Sequence, residues 1–319
     1  MRPVFDSDEG AALPADELSA RNAMAISPQK LAKHIQQVEA MPSVSAILQP
    51  LIGHLQQPLE QVDTQRVVDL IASDNSLAAQ CLHMANSPLF GRWQAITSIR
   101  GAVIALGMQK MRDIALSCSM MRIFPMNNGS KGPVVCWEHS LACALLSRRI
   151  ARRLGYDLEN AYLAGLLHDL GMVFHACTFP HEFEAVQRSC TDSGMSISEA
   201  EMKVLGFTHT DTGRMLGEGW NLAPLIVDTI RAHHSLSSMV LEPELVAIIH
   251  LSDRFCRARG IGYGMPEQVW FDNPREPSID DLKAYCPLLA TLNTARLEAE
   301  METYIRDVRT LVTTIYRMQ

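Results

Sequence analysis

Residues 163–171 read LAGLLHDLG. Leu163, Leu166, Leu167 and Leu170 fall at i, i+3, i+4 and i+7, the apolar stripe of a buried α-helix. The spacing predicts a helix from about Leu158 that stops at Gly171, a residue type suited to the position just past a helix end. His168 and Asp169 then fall in its final turn. Adjacent helical residues diverge by about 100°, so both reach one site only where the helix end faces it. An imidazole and a carboxylate among leucines are costly unless something coordinates or hydrogen-bonds them.

Outward from this pair, the same residue types recur in order: His139 upstream, then His209, the pair His233-His234, and Asp253. Each lies in a segment with helical spacing. Imidazole and carboxylate are ligands of Zn²⁺, Mn²⁺, Fe and Ni²⁺. Seven of them on several helices are a set that would line one polar cavity in a bundle and hold one or two divalent ions. The competing reading is a polar core in which each group is satisfied by hydrogen bonds.

The surrounding segments are helical almost throughout. Ser27-Pro28 is a cap with a first-turn proline, opening a helix with Leu31 and Ile35. Met41-Pro42 breaks it, and Val44, Ile47, Leu48 and Leu51 form the next stripe. Further helices carry Val67 to Ile71, Leu77 to Met84, and Val103 to Leu106, the last capped by Thr97 or Ser98. Gly107 separates it from a helix over about 109–122. Asn86-Ser87-Pro88 and Gly91 mark a loop, with Asn86 as a turn or cap residue. The cluster from Asn127 to Pro133 is the clearest internal boundary. Beyond it, helices are expected over about 134–154 (closed by Gly155), from His209 (capped by Thr208), from Pro224 to His233-His234, and from Pro243 to Gly260. An amphipathic helix over about 294–316 presents Leu297, Met301, Ile305, Val308, Leu311, Val312 and Ile315. No stretch alternates with period two, so the fold is expected to be all-α. The expected units are a flexible tail (1–27), a first helical lobe (28–132), a second lobe with the metal cavity (133–260), and an irregular segment plus final helix (261–319).

Composition narrows the function. A net charge of -7 over 319 residues argues against a general nucleic-acid binder. The one dense basic cluster, Arg148, Arg149, Arg152 and Arg153, sits on one helix face and reads as solvated or as a phosphate patch. None of the 8 cysteines forms a C-x-x-C pair, which removes zinc-knuckle and thioredoxin readings. They read as small buried hydrophobes, and the methionines, Met108, Met111, Met120 and Met121 among them, as core filler. No apolar stretch approaches the ~20 residues of a membrane span, and the chain is expected to be soluble and cytoplasmic.

Three stretches carry a familiar pattern. LAGLLHDLG at 163–171, GFTHTDTGRMLGEGWNLAPLIVDTIRAHH at 206–234 and AIIHLSDRF at 247–255 resemble the HD superfamily of metal-dependent phosphohydrolases. LIASDNSLAAQCLHMANSPLFGRWQAITSIRGAVIALGMQKMRDIAL at 70–116 resembles the first half of the HDOD (HD-related output domain) family. Together they span roughly Met41 to Arg259. The resemblance implies a two-lobed helical HDOD domain of bacterial signalling, acting through a signalling protein partner or a nucleotide or phosphoester ligand. It also implies roles. His139, His168, Asp169 and Asp253 would form a core metal site, with Asp169 bridging two ions and carrying any catalysis. His209, His233 and His234 would complete a second site or contact substrate phosphate. Two departures count against hydrolysis of cyclic di-GMP: Met172 stands where two-metal HD-GYP enzymes have lysine, and Ser235-Leu236-Ser237 follows the paired histidines in place of Gly-Tyr-Pro. A metal-dependent phosphohydrolase for a simpler phosphoester is the alternative.

Among the remaining histidines, His250 reads as a satisfied core residue, and His175 and His181 as solvent-exposed. Thr208, Thr210 and Asp211 read as caps.

Overall fold

Ser27 accepts a hydrogen bond from Lys30 N, and helix α1 (Pro28–Glu39) follows with Leu31, Ile35 and Val38 buried. This computed structural model describes residues 26–41, 44–55, 61, 63–90, 95–124, 131–235, 240–263 and 277–317. The tail up to residue 25, Pro42, the Gly91 loop, Asn127 to Ser130, Leu236-Ser237 and residues 264–276 lie outside them. Ile26 and Ser27, expected as the end of a tail, are docked: Ile26 is buried and its N–H donates to Leu205 O at 3.0 Å.

The first lobe is a π-helical turn (Val44–Leu48) running into α2 (Gln49–Leu55), then α3 (Thr64–Ala72), α4 (Asn75–Ala85), α5 (Ile99–Leu106) and α6 (Met108–Ile123). Asp63, Asp74 and Ser98 accept from the free N–H groups at the starts of α3, α4 and α5. Asn86 pins the loop after α4, donating to Leu82 O and Ile96 O and accepting from Ile96 N. Helix α6 is buried on nearly every side, including Met111, Met120 and Met121.

The second lobe is built on α7 (Gly132–Leu154), against which α8 (Leu158–Leu167), α9 (Leu170–Thr178), α14 (Pro243–Arg257) and α16 (Thr294–Arg317) all pack. Between them come α10 (Pro180–Ser193), α11 (Ile197–Val204), α12 (His209–Gly219), α13 (Pro224–Ala232) and α15 (Ile279–Tyr285). Capping boxes open α11 (Ser196 with Glu199) and α12 (Thr208 with Asp211). Gly165 lets α8 lie close on α7, since a Cβ there would come within 2.8 Å of Ala144 Cα. Helix α16 buries Ile305, Val308, Leu311, Val312 and Ile315, while the side chains of Leu297 and Met301 are not described. No described residue is in a strand, and no described helix is long and apolar enough to cross a membrane. The fold is all-α and two-lobed.

Two expectations need correction here. Helix α8 ends at Leu167, and Gly171 lies inside α9 rather than past a helix end. Its lack of a side chain serves packing: a Cβ would sit 2.0 Å from His209 O and 2.8 Å from Gly213 N, so α9 and α12 meet there. The arginine cluster is not uniformly solvated either. Arg148 is buried, ion-paired with Asp113 of α6 and lying 4.7 Å over the Tyr162 ring. With Arg112–Glu159 at 3.5 Å, Gln109 donating to Glu159 at 2.9 Å, and Ser117 bonded to Tyr162 OH at 3.0 Å, it ties the lobes together.

Candidate metal centre

The break between α8 and α9 sets the site. His168 caps α8 in αR geometry, and Asp169 (φ -106, ψ 27) precedes α9. The turn lets both side chains point into the space enclosed by α7, α12, α13 and α14. His139 enters from α7, His209 from the first residue of α12, His233 and His234 from the end of α13, and Asp253 from α14. All seven anticipated residues converge.

Asp169 is their common neighbour. Its Oδ2 lies 3.0 Å from His168 Nε2 and 3.4 Å from His139 Nε2. Its Oδ1 lies 3.3 Å from His233 Nε2 and 3.5 Å from His209 Nε2. Asp253 Oδ1 is 3.2 Å from His139 Nε2, and His234 Nε2 is 3.1 Å from His209 Nε2. The ligand atoms fall into two groups, each within 4.8 Å: His139, Cys143, His168 and Asp253; and Asp169, His209, His233 and His234.

The tautomers follow from the partners. His139 Nδ1 faces Ile261 O at 2.7 Å, His168 Nδ1 faces Gly165 O at 2.9 Å, and His233 Nδ1 faces Ile230 O at 2.9 Å. His209 Nδ1 faces Glu201 Oε2 at 2.7 Å. Carbonyls and carboxylates only accept, so each Nδ1 carries a hydrogen and each Nε2 lone pair turns inward. His139 Nε2 and His168 Nε2 are 3.2 Å apart, a contact between two acceptors unless something positive lies between. Both oxygens of Asp169, Asp253 Oδ1 and His233 Nε2 are buried and make no hydrogen bond despite these short separations. Inward lone pairs and orphaned carboxylate oxygens are what a divalent cation requires, and the donor set fits Zn²⁺, Mn²⁺, Fe or Ni²⁺.

Charge agrees. Among the described residues, Asp169, Asp253 and Glu201 stand against one guanidinium, Arg257, whose Nη2 is 2.8 Å from Asp253 Oδ2. Burial pushes Asp169 up, but the neighbouring His168, His233 and His209 hold it well below the carboxylate range. Burial likewise opposes ionisation of Asp253, and Arg257 and His139 overcome it. His209, disfavoured as a cation by burial, is raised to about 9 by Glu201 and the aspartates, while Glu201 falls to about 2. Burial and the adjacent imidazoles push His234 well below its ordinary value.

Several participants were not anticipated. Glu201 also accepts from His209 N at 2.9 Å and lies 3.3 Å from His175 Nδ1. His175, expected at the surface, is fully buried on α9 and bonded to Thr212 Oγ1 at 2.9 Å; the apolar run LGMVFHAC that carries it is core. Cys143 Sγ, one turn beyond His139 on the same face, is 3.8 Å from His139 Nε2. The segment after Gly260 supplies the Ile261 carbonyl and the Tyr263 ring, centred 4.7 Å from that of His139. Cys143 and Arg257, each four residues beyond a ligand, were findable by helical spacing; Glu201 had no local signal. His250 is a core residue behind the site, its Nδ1 2.7 Å from His233 O, and His181 is exposed.

The chain is similar to several known proteins. The HDOD domain model matches residues 41–236. An uncharacterized protein of Treponema pallidum is 24% identical over 186 residues, covering 57% of this chain and 36% of that protein. Ribonuclease Y of Mycoplasma mycoides is 29% identical over 121 residues, 38% of this chain and 18% of the enzyme. The chain thus spans about a third and about a fifth of the lengths of these relatives. Among solved structures, an HDOD domain protein of unknown function from Geobacter sulfurreducens is 25% identical with a TM-score of 0.70, covering 93% of this chain and 99% of that one. A candidate signal transduction protein from Marinobacter aquaeolei (22%, TM-score 0.68, 95% and 65% covered) and a candidate phosphohydrolase from Shewanella amazonensis (18%, 0.67, 89% and 97%) share the fold.

Proposed function

This chain belongs to the HDOD family, and on that footing we propose that it is a signal-transduction module built around a divalent-metal centre, acting through the partner or ligand it binds. The observation that carries this reading is the division of the Asp169 carboxylate. One oxygen faces His139 and His168, the other His209 and His233. His139, His168, Asp169 and Asp253, with Cys143 alongside, would hold one ion; Asp169, His209, His233 and His234 would hold a second. A bound ion would supply positive charge against phosphate oxygens. Glu201, Ile230 O, Gly165 O and Ile261 O fix the imidazoles so that their Nε2 atoms stay aimed at the cavity. Ions shared by helices α7, α8, α12, α13 and α14 would tie the packing of the second lobe to metal or ligand occupancy, as a signalling element requires.

The second reading is a working phosphohydrolase. It draws on the dinuclear arrangement and on the part-exposure of His234, whose side chain is 19% accessible while the other ligands are closed off. Similarity to Ribonuclease Y favours a phosphodiester substrate under that reading. Against it, Met172 is fully buried and offers neither proton nor charge. Turnover of cyclic di-GMP and of a generic aryl phosphodiester by metal-loaded protein separates the two. The signalling reading expects little or no turnover beyond that of Asp169→Ala. Efficient turnover that Asp169→Ala abolishes would make the chain an enzyme first.

A further inference from the structure

The C-terminal end of α7 opens a second site of opposite charge. A cavity of about 320 Å³ lies where both lobes and α16 meet, lined by Lys110 of α6 and by Arg148, Arg149, Arg152 and Arg153 of α7. Among the described residues, no carboxylate lines it. Asp113 engages Arg148, and Arg149 donates to Tyr304 OH at 2.7 Å. Lys110 and Arg152 are exposed and have no ion-pair partner among the described residues. Lys110 and Arg152 thus bring positive charge to the concavity that no described acid pairs with.

Arg148 supplies the second observation. Its accessibility is 9%, yet its Nε and Nη2 hydrogens meet no acceptor. A buried donor left unsatisfied costs free energy that an acceptor in the cavity would recover. Guanidinium groups present forked donors matched to phosphate oxygens, and the Phe90 and Tyr304 rings give the cavity apolar walls. We propose that this cavity binds a small phosphate-bearing anion of at least two charges, of the pyrophosphate or nucleoside-polyphosphate class, and that the anion bridges the two lobes. The site shares no residue with the metal cluster and does not depend on it.

The test is calorimetric titration of pyrophosphate and of ATP into full-length protein stripped of metal and dialysed, with sulfate as a control for ionic strength. Pyrophosphate should bind, more tightly than sulfate, and the Lys110→Ala/Arg152→Ala double variant should bind about ten-fold more weakly. Both residues are exposed, so the unliganded melting temperature should stay put. Asp169→Asn should bind as the unaltered protein does, which separates this site from the metal centre. ATP tighter than pyrophosphate would assign the ligand to nucleotides; equal affinity would assign it to the phosphate groups alone. The proposal is overturned if pyrophosphate and ATP fail to bind at millimolar concentration, if the double variant binds them as well as the unaltered protein, or if only single-stranded DNA binds through these residues.

Discussion

Helix α7 serves two sites of opposite sign. His139, in its first half, faces Asp169 and Asp253, where buried carboxylate outweighs the single guanidinium of Arg257. Nine residues on, about 14 Å along the axis, Arg148 opens the run of arginines lining the lobe junction. The titration of the acids differs accordingly. Asp169 and Asp253 are held well below their ordinary range by surrounding imidazole and guanidinium. Asp113 is raised to about 6, because burial outweighs the help of Arg148. The sign of the charge lining each site indicates what it takes up: cations at the first, anions at the second.

Stripping the metal should have the largest effect. At metal concentrations about a thousand-fold above Kd, binding stabilises the folded state by about 4 kcal/mol, so chelation should lower Tm on the order of 10 °C for a chain of this size. Equal melting curves for stripped and loaded protein would mean the cluster ties nothing together. Next comes Gly171→Ala, whose Cβ would drive into His209 O. Denaturant unfolding should show a loss of about 3 kcal/mol, with metal uptake impaired and pyrophosphate binding at the arginine cavity kept. A loss below ~1 kcal/mol would show that α9 and α12 adjust freely.

Glu201→Gln is a finer probe. It keeps an acceptor for His209 Nδ1 but removes the charge, and competition with a metal indicator should read affinity about 10- to 100-fold weaker. Unchanged affinity would remove Glu201 from the site. The smallest effect is a pH dependence at the junction, where Asp113 is faced by Arg148 of α7, by Arg112 beside it and by Glu159 of α8. Its folded value of about 6 lies above the ~3.9 of an unfolded chain, so the folded state holds the extra proton between them. The stabilisation is complete below about pH 4 and is lost as pH rises through about 6. Asp113→Asn should flatten that slope in stability-versus-pH curves; an unaltered slope would place its origin elsewhere.

The helices and the seven converging residues were legible because their signals are local. Caps such as Ser27, Ser98 and Thr208 sit beside the turns they close, and histidines among leucines are rare enough to stand out. What escaped depends on contacts between distant segments. Gly171 looked like a helix stop because its neighbour on α12 cannot be read from α9. Glu201 meets His209 only through the fold of α11 against α12. Arg148 resembled a solvated residue because its partner, Asp113, lies across the lobe junction. Helical periodicity shows which face is apolar, not which charges another helix will cover.

The central claim is the metal cluster shared through Asp169. Elemental analysis of protein purified without chelator or metal-affinity tag, alongside His234→Ala and Asp169→Asn, tests it most directly. Up to two transition-metal ions per chain are expected in the unaltered protein, one fewer in His234→Ala, and close to none in Asp169→Asn. A metal-free protein that also fails to take up Zn²⁺, Mn²⁺, Fe²⁺ or Ni²⁺ on addition would contradict the account and return the seven side chains to a hydrogen-bonded polar core.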